Sequence, residues 1–462
     1  MLPKNPAAAG FFYRFFRNAA MNNTSVDLFI EARWIVPVAP AGLVLEYHTA
    51  VVDAGRILAV LPHETADARY TPRQRQKLPQ HALIPGLVNL HSHAAMNLMR
   101  GLADDLPLME WLQKHIWPAE AKHVSAQFVH DGTRLACAEM LRGGITCFND
   151  MYFFPKAVGE AAVASGMRAA IGLIALDFPT AYAADTDDYL AKGLAARDEL
   201  REEALLTFCL APHAPYTVSD RSFAKVLTLA EQIELPIHLH LHETRQEIDD
   251  SLRDFGVRPL ERLHRLGLLS PGLIGVHAVH LNASEIDLLA QHGCSVAHCP
   301  SSNLKLASGI APVTELLQKS VNIGLGTDGA ASNNRLDLLQ EMRLAALLAK
   351  GASGRAETPN AHQALRMATL GGAQALGLET KIGSIEPGKE ADLCAIRLDS
   401  VELAPCYDPV SHLVYCAGRE HVSDVWVAGR ARVADGQLIE NNETELIKLA
   451  ALWQNKICPR NV

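Results

Sequence analysis

Residues 87–93 read LVNLHSH, an apolar run that ends on two histidines. Seven more runs of the same kind follow: ITCFND (145–150), MRAAIGLIAL (167–176), LLTFCLAPHA (205–214), PIHLHLHE (236–243), LIGVHAVH (273–280), CSVAHCP (294–300) and VNIGLGTDG (321–329). Segments such as SAQFVHDGTRLACAEMLRGG and RSFAKVLTLAEQIE lie between them, apolar at three- and four-residue spacing. Strand-like runs alternating with helix-period segments are the signature of repeated βα units around a parallel sheet. Eight repeats predict an α/β fold, a closed (β/α)8 TIM barrel over residues 85–375. No Gly-x-Gly-x-x-Gly follows the first strand, which argues against a dinucleotide-binding sheet.

Outward from the barrel the texture changes. Between residues 26 and 82, short β-rich runs with period-two apolar residues alternate with Gly and Pro punctuation, and GSIEPGKEADLCAIRLD and SDVWVAGRARVADGQ repeat that texture near the other end. The two ends are expected to form one small β-sandwich, residues 25–84 with 376–440, followed by a C-terminal helix and tail over 441–462. Residues 1–24 read as a disordered N-terminal extension, the first twenty of which, MLPKNPAAAGFFYRFFRNAA, lie ahead of a second start at Met21. Arg14 and Arg17 interrupt the apolar core that a signal peptide needs.

Composition narrows the function. The 462 residues are 49% hydrophobic and 20% charged, an ordinary globular balance far from disorder. Forty-two basic against 51 acidic residues give a net charge of −9, which lacks the basic footprint of a nucleic-acid binder. No apolar run approaches the roughly 18–20 residues of a membrane span. Nine cysteines without a Cys-x-x-Cys pair point away from a disulfide framework and toward a reducing, cytoplasmic setting, with Cys137, Cys147, Cys209 and Cys394 as small core residues.

Histidine is the outlier: nine of the 20 lie between residues 213 and 298. In a (β/α)8 barrel the working residues sit at the C-terminal ends of the strands. His91 and His93 close the first strand, on one side of it by their i, i+2 spacing. His240 and Glu243 close the fifth, His277 the sixth and Asp328 the eighth. Neutral imidazoles with a carboxylate suit zinc, iron or another borderline divalent metal. His238, His240 and His242 differ in depth and cannot all reach the same centre.

PGLVNLHSHAAMNLMRG, HLHLHETRQE, GVHAVHL, SNLKLASGIAPV and GTDGAASNN resemble the motifs of the amidohydrolase superfamily. Within it the sequence is most similar to the 5′-methylthioadenosine/S-adenosylhomocysteine deaminases, with chlorohydrolase-like enzymes as near neighbours. The resemblance implies one divalent metal, usually zinc with Fe2+ or Mn2+ as alternatives, held by His91, His93, His240 and Asp328. It makes Glu243 the proton carrier and places His277 beside the attacking water. Asp328 then takes the water's proton, and Glu243 also contacts the substrate ring at N1. Glu120 matches the position that holds ribose hydroxyls and His213 a substrate contact, while Trp111 reads as a wall of the nucleoside pocket or as packing beneath the loop. Tyr216 reads as structural, and Asn303, Lys305, Ser332 and Asn333 as residues that shape nearby loops. The family implies a small-molecule nucleoside substrate and a homodimer or homotetramer. The stretch IGLIALDFPT lacks the arginines that some relatives use for a homocysteine carboxylate, which favours methylthioadenosine or adenosine. Guanine, cytosine or s-triazine deamination and dechlorination would use the same metal set. A silent binding protein would have no need to retain all these groups.

Overall fold

A computed structural model describes residues 24–459, and the reading of residues 1–20 falls outside them. Each of the eight runs forms a strand: Leu87–Ser92, Ile145–Tyr152, Arg168–Ala175, Leu206–Pro212, Ile237–Leu241, Leu273–His277, Ser295–His298 and Asn322–Leu325. They pair in sequential order, and every pairing is parallel. The second and third strands are buried along their whole length, as expected where helices cover one face and the barrel core the other.

Closure joins the first strand to the exit of the eighth. Thr327 and Asp328 both donate their backbone N–H to the carbonyl of His91, at 3.1 and 3.0 Å. Asn89 reinforces the seam: its Oδ1 accepts from Thr327 N at 3.0 Å and its Nδ2 donates to Thr327 Oγ1 at 2.8 Å. Gly326 is required at this seam. A Cβ there would lie 2.8 Å from both Cys299 Sγ and His91 Cβ, closer than any side chain tolerates.

The two ends of the chain build one eight-stranded sheet, in the order Gln437–Leu438, Arg430–Ala434, Val422–Val427, Leu393–Arg397, Tyr70–Pro85, Thr24–Ile35, Leu45–Asp53, Arg56–Pro62. Tyr70–Pro85 is the seam, parallel to Thr24–Ile35 and antiparallel to Leu393–Arg397, with Ile84 opposite Cys394. Leu28, Ile30, Ile57, Leu83, Leu393 and Trp426 pack together against one face. Cys137, Cys147, Cys209 and Cys394 are buried. The helix Glu443–Ile457 docks back on the barrel helix Ala126–Arg142, where Trp453 Nε1 donates to Asp131 Oδ2 at 2.9 Å and its ring meets Phe128 edge-on.

A buried ion pair locks the sheet to the barrel. Arg168, first residue of the third barrel strand, is 3% exposed and grips Asp392 through Nε at 2.9 Å and Nη2 at 3.1 Å, while also pairing with Glu390. Replacing Arg168 by Ala leaves the buried Asp392 carboxylate without its guanidinium partner, so it should destabilise the protein by about 3–5 kcal/mol. A lowered midpoint in thermal or urea denaturation is the expected result; an unchanged midpoint would mean that the pair carries no net stability.

Candidate active site

His91, His93, His240, Glu243, His277 and Asp328 converge at the C-terminal mouth of the barrel. The His91 and His93 Nε2 atoms each lie 3.3 Å from Asp328 Oδ1. One ligand atom from each of His91, His93 and His240 falls within 4.8 Å of the others, and the same holds for His91, His277 and Asp328. Five side chains from four strand ends thus surround one point. Several leave their strands in left-handed or otherwise uncommon backbone geometry: φ is 72° at His277, 49° at Ala278 and 59° at Asp328. Such conformations cost energy and persist where the surroundings hold them in place, as functional sites do.

Each imidazole is oriented through the nitrogen that faces away from this point. His93 Nδ1 donates to the Met151 carbonyl at 2.5 Å, and His240 Nδ1 to the His213 carbonyl at 2.9 Å. His277 Nδ1 donates to Asn303 Oδ1 at 2.8 Å. His91 Nδ1 lies 3.0 Å from His238 Nε2, and the His91 Nε2 is buried without a hydrogen-bond partner. A buried lone pair on a ring nitrogen, with the opposite N–H fixed by an acceptor, is the arrangement of a metal ligand. The Asp328 carboxylate is prepared in the same way. Its Oδ2 accepts from Ser302 Oγ at 2.6 Å and Ser332 Oγ at 2.8 Å, and its Oδ1 from Gly329 N at 2.8 Å.

Electrostatics separate the members of this donor set. Burial pushes His91 down to about 4 and His213 to about 3, and drives His240 well below its ordinary value, so all three are neutral at physiological pH. Burial alone would raise Asp328, but the adjacent His91 and His93 rings hold it well below the usual carboxylate range. Burial raises Glu243, which favours a protonated carboxyl. His93 differs: although burial lowers it, the Asp328 carboxylate raises it to about 9, so this ring carries a proton that a divalent cation would displace.

The three histidines of the fifth strand separate by depth. His238 sits below the ring of His91 and holds it, while His240 reaches the convergence point. His242 has turned away: with φ at 55°, it accepts Leu260 N–H on Nε2 at 3.0 Å.

A cavity of about 500 Å³ opens above this cluster. Its floor is polar, with His93, His240, Glu243, His277 and Asp328. Apolar side chains, among them Trp111, Ile116, Phe153 and Leu176, form the walls. One side is a helical arm made of Leu108–Trp111, a wider i→i+5 turn at Leu112–Ile116 and Trp117–His123. Wide turns of this kind recur at functional sites. The arm brings Trp111 and Glu120 to the cavity. Tyr152 Oη donates to Glu120 Oε1 at 2.7 Å, and burial pushes the Glu120 carboxyl up to about 7 against that bond. His213 lines the opposite wall, its Nδ1 3.1 Å from Thr217 Oγ1. Tyr216, read as structural in the sequence, also lines the cavity, with its ring edge-on to His213.

Lys305 does not reach the cluster; its ammonium pairs with Asp104 at 2.6 Å. Asn333 braces the eighth-strand loop by donating to the Thr327 carbonyl at 2.7 Å. Tyr152, His238 and Ser302 were not singled out from the sequence. Tyr152 carried a usable signal, an aromatic at the C-terminal end of a barrel strand. His238 and Ser302 depend on which strand ends are neighbours and on depth, which one sequence does not display.

Comparison with known proteins agrees with this geometry. Residues 82–432 match the model of the Amidohydrolase family. A protein of Saccharophagus degradans named 5-methylthioadenosine/S-adenosylhomocysteine deaminase is 48% identical over 436 residues, covering 94% of this chain and 98% of that one. A protein of the same name from Thermodesulfovibrio yellowstonii is 42% identical over 433 residues, covering 93% and 98%. The crystal structure of an adenosine deaminase from Xanthomonas campestris, with bound zinc, superposes with a TM-score of 0.93 at 49% identity, covering 94% of this chain and 99% of that one.

Partners that orient metal-binding histidines typically matter 10–100-fold for metal affinity. His238→Phe removes the acceptor beneath His91 and should weaken metal retention by about that factor, measured by competition against a chelator. Unaltered affinity would mean that His238 does not orient the ligand.

Proposed function

The chain belongs to the amidohydrolase family, and on that premise we propose that it hydrolytically deaminates a 6-aminopurine nucleoside to the hypoxanthine nucleoside and ammonia. The observation that carries this reading is the pair of carboxyls facing one cavity: Glu243 beside the metal-ligand cluster on the floor, and Glu120 on the arm above it. We take His91, His93, His240 and Asp328 to hold a single zinc ion, the donor set being three imidazoles and one carboxylate, with the His93 proton displaced on binding. When bound, that ion supplies the Lewis acidity that makes hydroxide available near neutral pH.

The chain's own groups perform the rest. Glu243, whose carboxyl burial shifts toward the protonated form, donates a proton to purine N1 and makes C6 electrophilic. Asp328 accepts a proton from the attacking water as its oxygen bonds to C6. His277, fixed through Asn303 and with Nε2 3.8 Å from Glu243 Oε2, orients the water and faces the charge that develops on the adduct. Proton delivery to the exocyclic nitrogen breaks the C6–N6 bond and releases ammonia. Glu120 accepts hydrogen bonds from the two vicinal ribose hydroxyls, and Tyr152 holds it in place. Trp111 and His213 flank the nucleoside.

The walls bear on the 5′ substituent. Among the described residues lining the cavity there is no lysine or arginine. A methylthio group finds apolar surface there, whereas a homocysteine carboxylate finds no counter-ion, and an unpaired buried charge is costly. This reading takes 85–375 as the catalytic unit, with 25–84 and 376–440 as its supporting β-domain, in a cytoplasmic homo-oligomer. Among the described residues, no helix is long and apolar enough to cross a membrane.

The test is a side-by-side ultraviolet assay of metal-replete protein with methylthioadenosine, S-adenosylhomocysteine, adenosine, guanine and cytosine. Methylthioadenosine should be converted with a kcat/KM at least about tenfold above S-adenosylhomocysteine, the value of roughly one charge-assisted contact. Absence of turnover on every 6-aminopurine nucleoside would refute the assignment. In the same assay Glu120→Ala should lower nucleoside kcat/KM by about 10–100-fold. An equal kcat/KM for this variant and the parent would remove Glu120 from ribose binding.

A further inference from the structure

The segment after the fifth strand contains Thr244-x-x-Glu247, the pattern of a helix capping box, and Thr244 Oγ1 does accept the Glu247 N–H at 3.2 Å. In such a box the glutamate carboxylate returns to the amide of the capping residue. Here it reaches further back. Glu247 Oε1 accepts from His242 N at 2.9 Å, and Oε2 from Glu243 N at 2.8 Å. Each oxygen therefore binds one of two successive amides at the point where the chain leaves the barrel and His242 takes its left-handed φ of 55°. Glu247 is 6% exposed, so water cannot readily replace those bonds. Holding the peptide planes on both sides of His242 and the amide of Glu243 fixes the direction in which the Glu243 side chain leaves the backbone. Its carboxyl points at the cavity floor, 3.8 Å from His277 Nε2.

We propose that Glu247 is the positioning residue for Glu243: it does not touch substrate, and its part in the reaction is to set the proton-carrying carboxyl at the strand end. Productive placement of such a group demands tolerance within about half an ångström, and the loop between strand and helix supplies no other carboxylate that bridges these two amides. The proposal rests on Glu243 being the proton carrier.

The experiment compares metal-loaded, full-length parent, E243Q, E247Q and the double variant, each with metal content and kcat and KM for methylthioadenosine. A glutamine at 247 offers one acceptor oxygen and turns an NH2 toward the second amide. E247Q should therefore lose about 10–100-fold in kcat, with KM within about threefold and metal content unchanged. Because the effect passes through Glu243, E243Q/E247Q should be no slower than E243Q alone. Losses that multiply in the double variant would mean that Glu247 acts on the site in general, and would overturn the proposal. Should E247Q fail to fold, E247D keeps both acceptors on a shorter stem and is expected to show a smaller loss in kcat at unchanged metal content. Parent-level kcat in E247D or E247Q would overturn the proposal. E243Q turning over at the parental rate would instead remove the role of Glu243, while an inactive E243Q beside a fully active E247Q would remove Glu247 alone.

Discussion

One carbonyl group, that of His91, organises this molecule. It accepts the amides of Thr327 and Asp328, and by doing so it joins the last strand of the barrel to the first. The residues that make the seam carry the side chains that face the centre: His91 and Asp328 come together because their backbones are bonded. Gly326 lets the two chains approach closely enough, and Asn89 with Thr327 stiffens the joint. A barrel that failed to close would separate the carboxylate from the histidines of the first strand. Folding and assembly of the donor set are, at this seam, the same event.

The site depends next on keeping its groups dry and aimed. Burial holds His91, His213 and His240 neutral, and hydrogen bonds on the outward nitrogens turn the inward ones of His91, His93 and His240 toward the centre. Serine hydroxyls take up one oxygen of Asp328, so that the other is left toward the imidazoles. Glu243 stands apart from this set, in a setting that favours its protonated form, and so can serve proton transfer. The arm bearing Trp111 and Glu120 lines the cavity above the floor.

Much of this was legible in the sequence, because periodicity and position along a strand are local properties. The eight runs became the eight strands, and the residues at their ends, His91, His93, His240, His277 and Asp328, came together. The β-rich ends joined in one sheet. What could not be read depends on contacts between strands and on depth. His238 lies on the same strand as His240 and carries the same side chain, yet it backs the His91 ring, because it sits two residues deeper. Tyr152 reaches Glu120 only because the arm folds over the second strand. Thr244-x-x-Glu247 reads as an ordinary helix start, and its reach back to His242 and Glu243 appears only in three dimensions.

The central claim is that a single metal ion sits where these strand ends meet, held by His91, His93, His240 and the Oδ1 oxygen of Asp328. Anomalous diffraction from crystals of metal-loaded protein, collected at the absorption edge of zinc, tests it most directly. The account predicts one strong peak per chain, about 2.0–2.2 Å from the Nε2 atoms of the three histidines and from Asp328 Oδ1. A peak bonded to Asp328 Oδ2, a peak that leaves out His91, or no peak at this point would contradict it.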